Sequence, residues 1–421
     1  MRELRVSLFE MSMCLSNAMD LVSPAVVDHH KRVAYIASGI AAEIGLPEKT
    51  QENLIMAGIL HDIGAISLKD RLDVLSFEAD STGSHAELGY HLIRTFAAFS
   101  GIAPLVRYHH LQWENGKGLN SRGEKVPLLC HVLHLADRIA VLIDSKEEIL
   151  RQSKNICRKI IKNSGKKFVP EFVDAFCSLS ERESFWFDTM SSSISQVLTR
   201  KIRVSTIELN LKELLNLAGL FSKIIDFRSC FTATHSSGVA ASSEALAKLM
   251  GLKEYECRLI KIAGYLHDLG KLAIPAEILE KPSRLTREEN NIIKRHPYYT
   301  YRIIETVKGL DAINSWASFH HECLDGKGYP FRQKGRDIPL EARIIAVADI
   351  FTALTENRPY RQGMSKDTVL KNLMNMARNF AVDPDIVSVL RRNYAKVNSI
   401  RIAAQSEESA EYKDFRRHVS C

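Results

Sequence analysis

AGYLHDLGKL, residues 263–272, repeats AGILHDIGAI, residues 57–66, at a distance of 206 positions. The same offset carries His29 onto His235. Further along, His85 matches His296 and the doublet His109-His110 matches His320-His321, both at 211. LADRIAVL around Asp137 then matches VADIFTAL around Asp349 at 212, and FVPEFVDAF (168–176) resembles VDPDIVSVL (382–390). Histidines and aspartates recurring in one order, at offsets that drift by a few residues, mark two copies of one fold with loop insertions between them. The chain therefore reads as two tandem units, 22–200 and 205–398. An N-terminal helix over 1–21 precedes them, and a polar tail over 399–421 is expected to be loosely ordered.

Each unit reads as helical. In EYECRLIKIAGYLHDLG (254–270), Leu259, Ile260, Ile262, Ala263 and Leu266 fall at helical spacing, and LEARIIAVADIFTALTE (340–356) does likewise. Thr286, with Glu289 three residues on, has the pattern of a helix start. Pro275, Pro282 and the DGKGYP run (325–330) punctuate loops. KIRVSTIEL (201–209) alternates only weakly and is read as a linker leading into a helix, not as a strand. The fold class is all-α, two helical bundles in tandem.

A chain of 421 residues is long enough for two or three domains. A hydrophobic fraction of 45% and a charged fraction of 25% are those of a soluble globular protein. The net charge of +7 suits an acidic ligand such as a phosphodiester, or equally a soluble protein that is merely slightly basic, and the lack of a dense Lys/Arg run argues against DNA as a partner. Eight cysteines are scattered without a CxxC pair, which predicts reduced thiols rather than a disulfide framework. The first 22 residues mix charges among apolar side chains, unlike a signal peptide, and no run reaches the roughly 20 apolar residues that span a bilayer. A cytoplasmic protein with no membrane partner is expected.

The chemistry lies in His235, His267, Asp268, His296, His320, His321 and Asp349. Burying an imidazole and a carboxylate side by side at the end of an apolar helix costs several kcal/mol unless they meet a strong partner, and a divalent metal is one. Neighbouring side chains on a helix diverge by about 100°, so His267 can serve one ion while Asp268, with two oxygens, bridges to a second. Five histidines and two aspartates suit two ions about 3.5–4 Å apart, the spacing of two-metal hydrolases. Nitrogen-rich ligation without thiolate favours iron or manganese, with zinc as a third choice, over magnesium.

His267-Asp268-Leu269-Gly270-Lys271, with Ile274-Pro275, Ile278-Leu279, Lys281-Pro282 and the run from Leu285 to Glu289, resembles the signature of the HD-GYP family. So do the run HHECLDGKGYP (320–330), Ile338-Pro339, Ala342-Arg343-Ile344 and Arg358-Pro359-Tyr360-Arg361. The resemblance covers about 135 residues of the second unit. It implies HD-type helical bundles and bacterial phosphodiesterases that open cyclic di-GMP to pGpG, in some cases continuing to GMP; some members prefer cyclic GMP-AMP. It implies further that His235, His267, Asp268 and Asp349 hold one metal, that Asp268, His296, His320 and His321 hold the other, and that a hydroxide activated by both ions attacks phosphorus. Lys271 would neutralise charge on the phosphate oxygens in the transition state. Arg361 and Arg358 would contact the substrate phosphates. Tyr329 would stack on a base or pack within its loop, and packing is the reading preferred. Family members also meet partner proteins, such as a diguanylate cyclase-type protein, through this GYP loop.

Several positions depart from the family pattern. Phe231 stands where some members carry a Glu for a third metal, so a dinuclear centre is expected. Thr352 replaces a second Asp, Arg332-Gln333 replace Gly-Leu, and Ser283 replaces Gly, changes that bear on substrate preference and rate. The first unit keeps His29, His61, Asp62, His85, His109, His110 and Asp137, with His30 as an alternative that the offset disfavours. It loses the lysine, replaced by Ala65, the Tyr-Pro of its loop (WENGKGLNSRGEKVP, 113–127) and any RPYR. A second metal site without catalysis is expected there, in a regulatory or dimerising unit, which makes a homodimer the expected assembly. Two alternatives stand beside the cyclic dinucleotide phosphodiesterase. One is an HD-type nucleotide phosphohydrolase with another substrate; the other is a catalytically slow receptor or scaffold for the dinucleotide.

Overall fold

The helical periodicity of the sequence is realised in both units of the computed structural model, which describes residues 4–21, 27–65, 77, 83–121, 123–201, 207–227, 233–281, 283–357 and 362–419. Residues 23–207 form one unit, and residues 1–22 together with 208–417 form the other.

In the first unit the helix His29–Glu43 is central, packing on Glu48–Leu60, Leu129–Val141 and Pro170–Ser180. Ile36, Ile40, Leu54, Ile59, Leu133, Ile139, Phe172 and Phe176 fill the space between them. The contact with Glu48–Leu60 is close enough to require glycine: a Cβ on Gly58 would lie 2.6 Å from the Cα of Ala34. The second unit repeats this. His235–Leu249 packs on Glu254–Leu266 and Leu340–Thr355, and a Cβ on Gly264 would lie 2.8 Å from the Cα of Ala240. Both the glycine and the alanine recur at the offset of 206, so the duplication extends to the helix crossing that frames each site.

The remaining helices follow from local signals. Thr286 accepts from the Glu289 amide at 3.2 Å while Glu289 accepts from the Thr286 amide at 2.7 Å, so the helix Arg287–Ile293 starts with the reciprocal cap expected. Asn210 and Glu213 cap Leu211–Asp226 in the same way.

Two expectations are corrected. The stretch read as a linker contains a short strand: Glu208–Leu209 pair antiparallel with Val6–Ser7, in the register Val6↔Leu209 and Ser7↔Glu208. Two-residue strands carry too little alternation to stand out in a sequence, and their partner lies about 200 positions away. The helix Leu8–Asp20 that follows therefore groups with the second unit, where it packs against the turn Leu269–Ala273 and the helix His296–Ile304. There Glu10 accepts from the Lys308 amide at 3.0 Å. The tail, expected to be loose, is part of a helix, Tyr394–Val419. Among its anchors, Tyr412 and Phe415 each bring their ring centroid to 5.0 Å from that of Phe227, and Lys223 pairs with Glu411. Polar anchors such as Gln405 supply the rest, and an apolar pattern does not register them. Among the described residues no helix is long and apolar enough to cross a membrane.

Candidate metal centre

The seven ligand candidates of the second unit come from five segments, and all but one sit at helix ends. His235 opens the helix His235–Leu249, His267 and Asp268 follow Glu254–Leu266, and His296 opens His296–Ile304. His320 and His321 follow Asp311–Ser318, while Asp349 projects from the middle of Leu340–Thr355. Three of the rings are oriented by the carbonyl three residues earlier. His267 Nδ1 lies 2.8 Å from Gly264 O, His296 Nδ1 2.8 Å from Ile293 O, and His320 Nδ1 2.6 Å from Ala317 O. A proton held at Nδ1 leaves the Nε2 lone pair facing inward, the form in which imidazole binds a metal.

The inward atoms converge. Asp268 Oδ2 is 3.2 Å from His267 Nε2, and its Oδ1 is 3.3 Å from His296 Nε2, so the two carboxylate oxygens address different histidines. His296 Nε2 and His320 Nε2 are 3.2 Å apart, and His235 Nε2 is 3.1 Å from Asp349 Oδ1. Ligand atoms lie within 4.8 Å of one another in three groups: His235/His267/Asp268, His296/His320/His321 and His267/His320/Asp349. His267 Nε2 is buried with no hydrogen-bond partner. A buried acceptor without a donor among several others is destabilising by itself and fits a cation. These clusters can hold divalent metal.

Their protonation fits too. Burial pushes the His296 imidazole down to about 3 and the His321 imidazole down to about 4, and it drives His320 well below the usual range. Burial works the other way on Asp268, but His267 and Lys271 beside it hold its carboxyl well below the usual range. Neutral His296, His320 and His321 beside an ionised Asp268 are in the state a metal requires of its ligands. At His267 burial is outweighed by the Asp268 carboxylate, which pushes the imidazole up, so a metal arriving there displaces a proton.

Lys271 donates to Asp268 Oδ2 from the same turn, with its side chain about a quarter exposed. Tyr329 packs rather than opening outward: its ring is stacked on His321 at 4.9 Å. Glu322 Oε1 accepts from the Phe331 amide at 2.7 Å and holds the loop that carries Tyr329. Arg358 and Arg361, and the Phe231 position, lie outside the described residues.

The first unit assembles the same cage. His29 Nε2 is 3.2 Å from Asp137 Oδ1, His61 Nε2 is 3.2 Å from Asp62 Oδ2, and His85 Nε2 is 3.3 Å from Asp62 Oδ1. His109 and His110 approach His85 at 3.4 and 3.0 Å. His29 Nε2, His61 Nε2, Asp62 Oδ1 and Asp137 Oδ1 are buried without hydrogen-bond partners. The unit also holds a charge that sequence reading missed. Arg138, 1% exposed, places Nη2 at 2.6 Å and Nε at 3.2 Å from Asp137 Oδ2. Ile350 stands at the matching position of the second unit.

Two carboxylates of the second unit were also missed. Glu356 accepts from His235 Nδ1 at 3.0 Å, and its spacing of seven from Asp349, two helical turns on one face, was a readable signal. Asp226 accepts from both the amide and the hydroxyl of Ser236, at 2.8 and 3.0 Å, and thereby ties the start of the His235 helix to Leu211–Asp226.

Comparison with known proteins is consistent with this geometry. Two family models, each described as an HD domain, match residues 26–142 and 219–386. A 3'3'-cGAMP-specific phosphodiesterase of Vibrio cholerae serotype O1 (phosphodiesterase 1) is 30% identical over 419 residues, 97% of this chain and 96% of that protein. The cyclic di-GMP phosphodiesterase response regulator RpfG of Xanthomonas campestris is 38% identical over 186 residues, 42% of this chain and 48% of its own. The crystal structure of a cyclic GMP-AMP-specific phosphodiesterase from V. cholerae superimposes with a TM-score of 0.66 at 23% identity, covering 93% of this chain and 98% of that one, and shows the shared fold.

Proposed function

The chain belongs to the family of HD-domain cyclic dinucleotide phosphodiesterases, as a tandem of two HD domains related to the HD-GYP type, and from that membership we propose that its second domain hydrolyses 3'3'-cGAMP. The observation that carries the hydrolytic reading is the bridging position of Asp268 among histidines whose Nε2 atoms converge. The substrate is assigned because the relative matching nearly the whole chain is named for that dinucleotide, whereas RpfG, named for cyclic di-GMP, matches only part of it. Cyclic di-GMP, the substrate expected from the motifs, is the second reading.

In this reading His235, His267, Asp268 and Asp349 hold one divalent ion and Asp268, His296, His320 and His321 the other, with manganese or iron preferred by the nitrogen-rich donor set. The ions, when bound, supply Lewis acidity to the phosphodiester and lower the pKa of the attacking water. Lys271 leaves Asp268 to meet the non-bridging phosphate oxygens, where charge builds in the transition state. Arg358 and Arg361 add phosphate contacts. The first domain binds metal without catalysing, because Ala65 stands in place of the lysine and its loop lacks Tyr-Pro. It acts as the regulatory or dimerising unit.

The test is turnover of 3'3'-cGAMP and of cyclic di-GMP by protein loaded anaerobically with Mn²⁺ or Fe²⁺, beside Asp268→Ala and Asp62→Ala. The reading expects preference for 3'3'-cGAMP, loss in Asp268→Ala and retention in Asp62→Ala. A preference for cyclic di-GMP moves the substrate to the second reading. No turnover of either by metal-replete protein overturns the enzyme reading, and loss in both variants overturns the division of labour.

A further inference from the structure

His235 has a side-chain carboxylate behind its ring. His267, His296 and His320 each give Nδ1 to a carbonyl three residues back. His235 Nδ1 meets a side chain, the Glu356 carboxylate, at 3.0 Å to Oε2 and 3.2 Å to Oε1. Glu356 follows the last residue of the helix that bears Asp349 and is 9% exposed.

Glu356 is held in its turn. Gln405, from the helix Tyr394–Val419, donates Nε2 to Glu356 Oε1 at 2.5 Å and to Thr234 O at 3.2 Å. Arg401, one turn earlier and 6% exposed, donates to Gln405 Oε1. Arg401 is braced by Asn398 Oδ1 at 2.9 Å. Gly238 leaves the room this arrangement needs, since a Cβ there would lie 2.8 Å from Gln405 Nε2.

From this geometry we infer that Glu356 and Gln405 are positioning residues for the metal centre, and that the C-terminal helix thereby fixes the tautomer and aim of His235. With the proton held at Nδ1 by Glu356, the Nε2 lone pair faces Asp349 Oδ1 across 3.1 Å. Two acceptors then point at one place, as ligands of one cation do. A carboxylate behind a metal-bound histidine orients the ring and raises its basicity, and losing it typically lowers metal affinity about 10–100-fold. Gln405 acts one step further out, aiming the carboxylate. At the position of the first domain that matches Glu356 stands a shorter acid, Asp144, which accepts from the Lys146 amide.

The inference rests on His235 being a metal ligand, as proposed above, and the test separates the two. Metal-stripped full-length protein, carrying Asp62→Ala to silence the first domain's cluster, is titrated with Mn²⁺ while free ion is counted by electron paramagnetic resonance. The parent should bind two ions. Glu356→Ala should weaken one of them about 10–100-fold and leave the other in place. Gln405→Ala should weaken the same ion by less, and the double variant should bind no worse than Glu356→Ala, since residues of one relay are not additive. Glu356→Gln, which keeps an acceptor, should recover part of the affinity. Folded Glu356→Ala with two ions at parental affinity overturns the inference. So does a Gln405→Ala loss that adds in full to that of Glu356→Ala. If Glu356→Ala does not fold, unchanged affinity in both Glu356→Gln and Gln405→Ala overturns it equally. His235→Ala that still binds two ions would instead sink the reading of His235 as a ligand.

Discussion

Replacing Gly270 by alanine probes the second domain at its tightest point. The turn Leu269–Ala273 lies directly on the start of the helix His296–Ile304, tied there by the Gly270 amide to Thr300 Oγ1 at 2.9 Å and by Thr300 Oγ1 to His267 O at 3.1 Å. A Cβ on Gly270 would stand 2.0 Å from His296 O and 2.7 Å from the Thr300 amide nitrogen. Both are backbone atoms, so no rotamer change relieves the clash. Ordinary contact begins near 3.4 Å, so turn and helix must part by about 1.4 Å. The turn carries Lys271 and follows Asp268, and the helix begins with His296, so Asp268 and His296, 3.3 Å apart, separate with them. Overpacking of this kind costs about 1–3 kcal/mol, which a native stability of about 5–15 kcal/mol can absorb. For a unit of this size that lowers Tm by roughly 2–4 °C per kcal/mol. Function should suffer more: a displacement of about 1 Å in catalytic geometry can lower turnover about 10²-fold.

The assay combines cyclic dinucleotide turnover, bound metal by mass spectrometry and thermal unfolding. Gly64→Ala is the matched control, because a Cβ there would lie 2.1 Å from His85 O in the first domain. The expected result is a comparable loss of Tm in both variants, with the turnover loss confined to Gly270→Ala. Gly270→Ala with its full metal complement and turnover within about threefold of wild type would refute the claim that this contact sets the ligand geometry.

Three further outcomes are expected. Lys271→Ala should lower kcat about 10²-fold with metal content unchanged, the size seen when one transition-state donor is removed; an unchanged kcat removes the lysine from the mechanism. Adding Mn²⁺ to stripped protein should raise Tm, since an ion at a hundred times its Kd stabilises the folded state by about 2.7 kcal/mol, and chelator should reverse the shift in differential scanning fluorimetry. A Tm indifferent to Mn²⁺ denies that the clusters are metal sites. Burial lifts the Glu408 carboxyl from 4.5 to about 8, so the folded protein keeps a proton that the unfolded chain gives up. That contribution is complete below pH 4.5 and fades as pH rises through about 8. Glu408→Gln should therefore flatten the fall of Tm between mildly acidic and alkaline pH; an unaltered slope assigns that dependence elsewhere.

The fold and the clustering of the histidines and aspartates were legible in the sequence for one reason: duplication printed the pattern twice. His61 alone is one histidine on a helix, but His61 and His267 embedded in the same decapeptide define a site. What the duplication did not print was not read. Glu356 sits two turns beyond Asp349 on one face, and although Asp144 stands at the same offset in the first domain, the residues after it (SKEE against NRPY) do not repeat, so the pair did not stand out. Gln405 and Arg401 lie in a polar stretch whose anchoring is by hydrogen bonds, so hydropathy gives no sign of it. The pairing of Val6–Ser7 with Glu208–Leu209 joins segments two hundred positions apart, and two residues of strand leave no period to detect. Arg138 is a different failure. A charged residue beside a ligand normally belongs to a solvated face, and only packing reveals that this one is turned inward.

That arginine bears on why two nearly identical cages need not do the same work. Both domains place one cation against one aspartate of the site. In the second it is Lys271, on a side chain 23% exposed, paired with the bridging Asp268. In the first it is Arg138, on a side chain 2% exposed, paired with Asp137. A partly exposed ammonium on a flexible stem can exchange its carboxylate for an arriving phosphate, and the exchange is favourable where negative charge is growing. A guanidinium enclosed beside its carboxylate cannot reach a ligand entering from solvent, and parting the pair would strand a buried charge at a cost of about 3–5 kcal/mol. Its charge is therefore fixed in the ground state and contributes nothing that increases along a reaction, which is the condition for catalysis. The distinction between the domains on this view lies in where positive charge is free to move, not in the count of histidines, which the two share. Exchanging the cations makes the argument testable as a pair: Ala65→Lys with Arg138→Ile should give the first domain phosphate-binding ability that neither change supplies alone, read as retention of a non-hydrolysed dinucleotide analogue by protein carrying Asp268→Ala. Retention by Ala65→Lys alone to the same degree would show that the buried arginine is no obstacle.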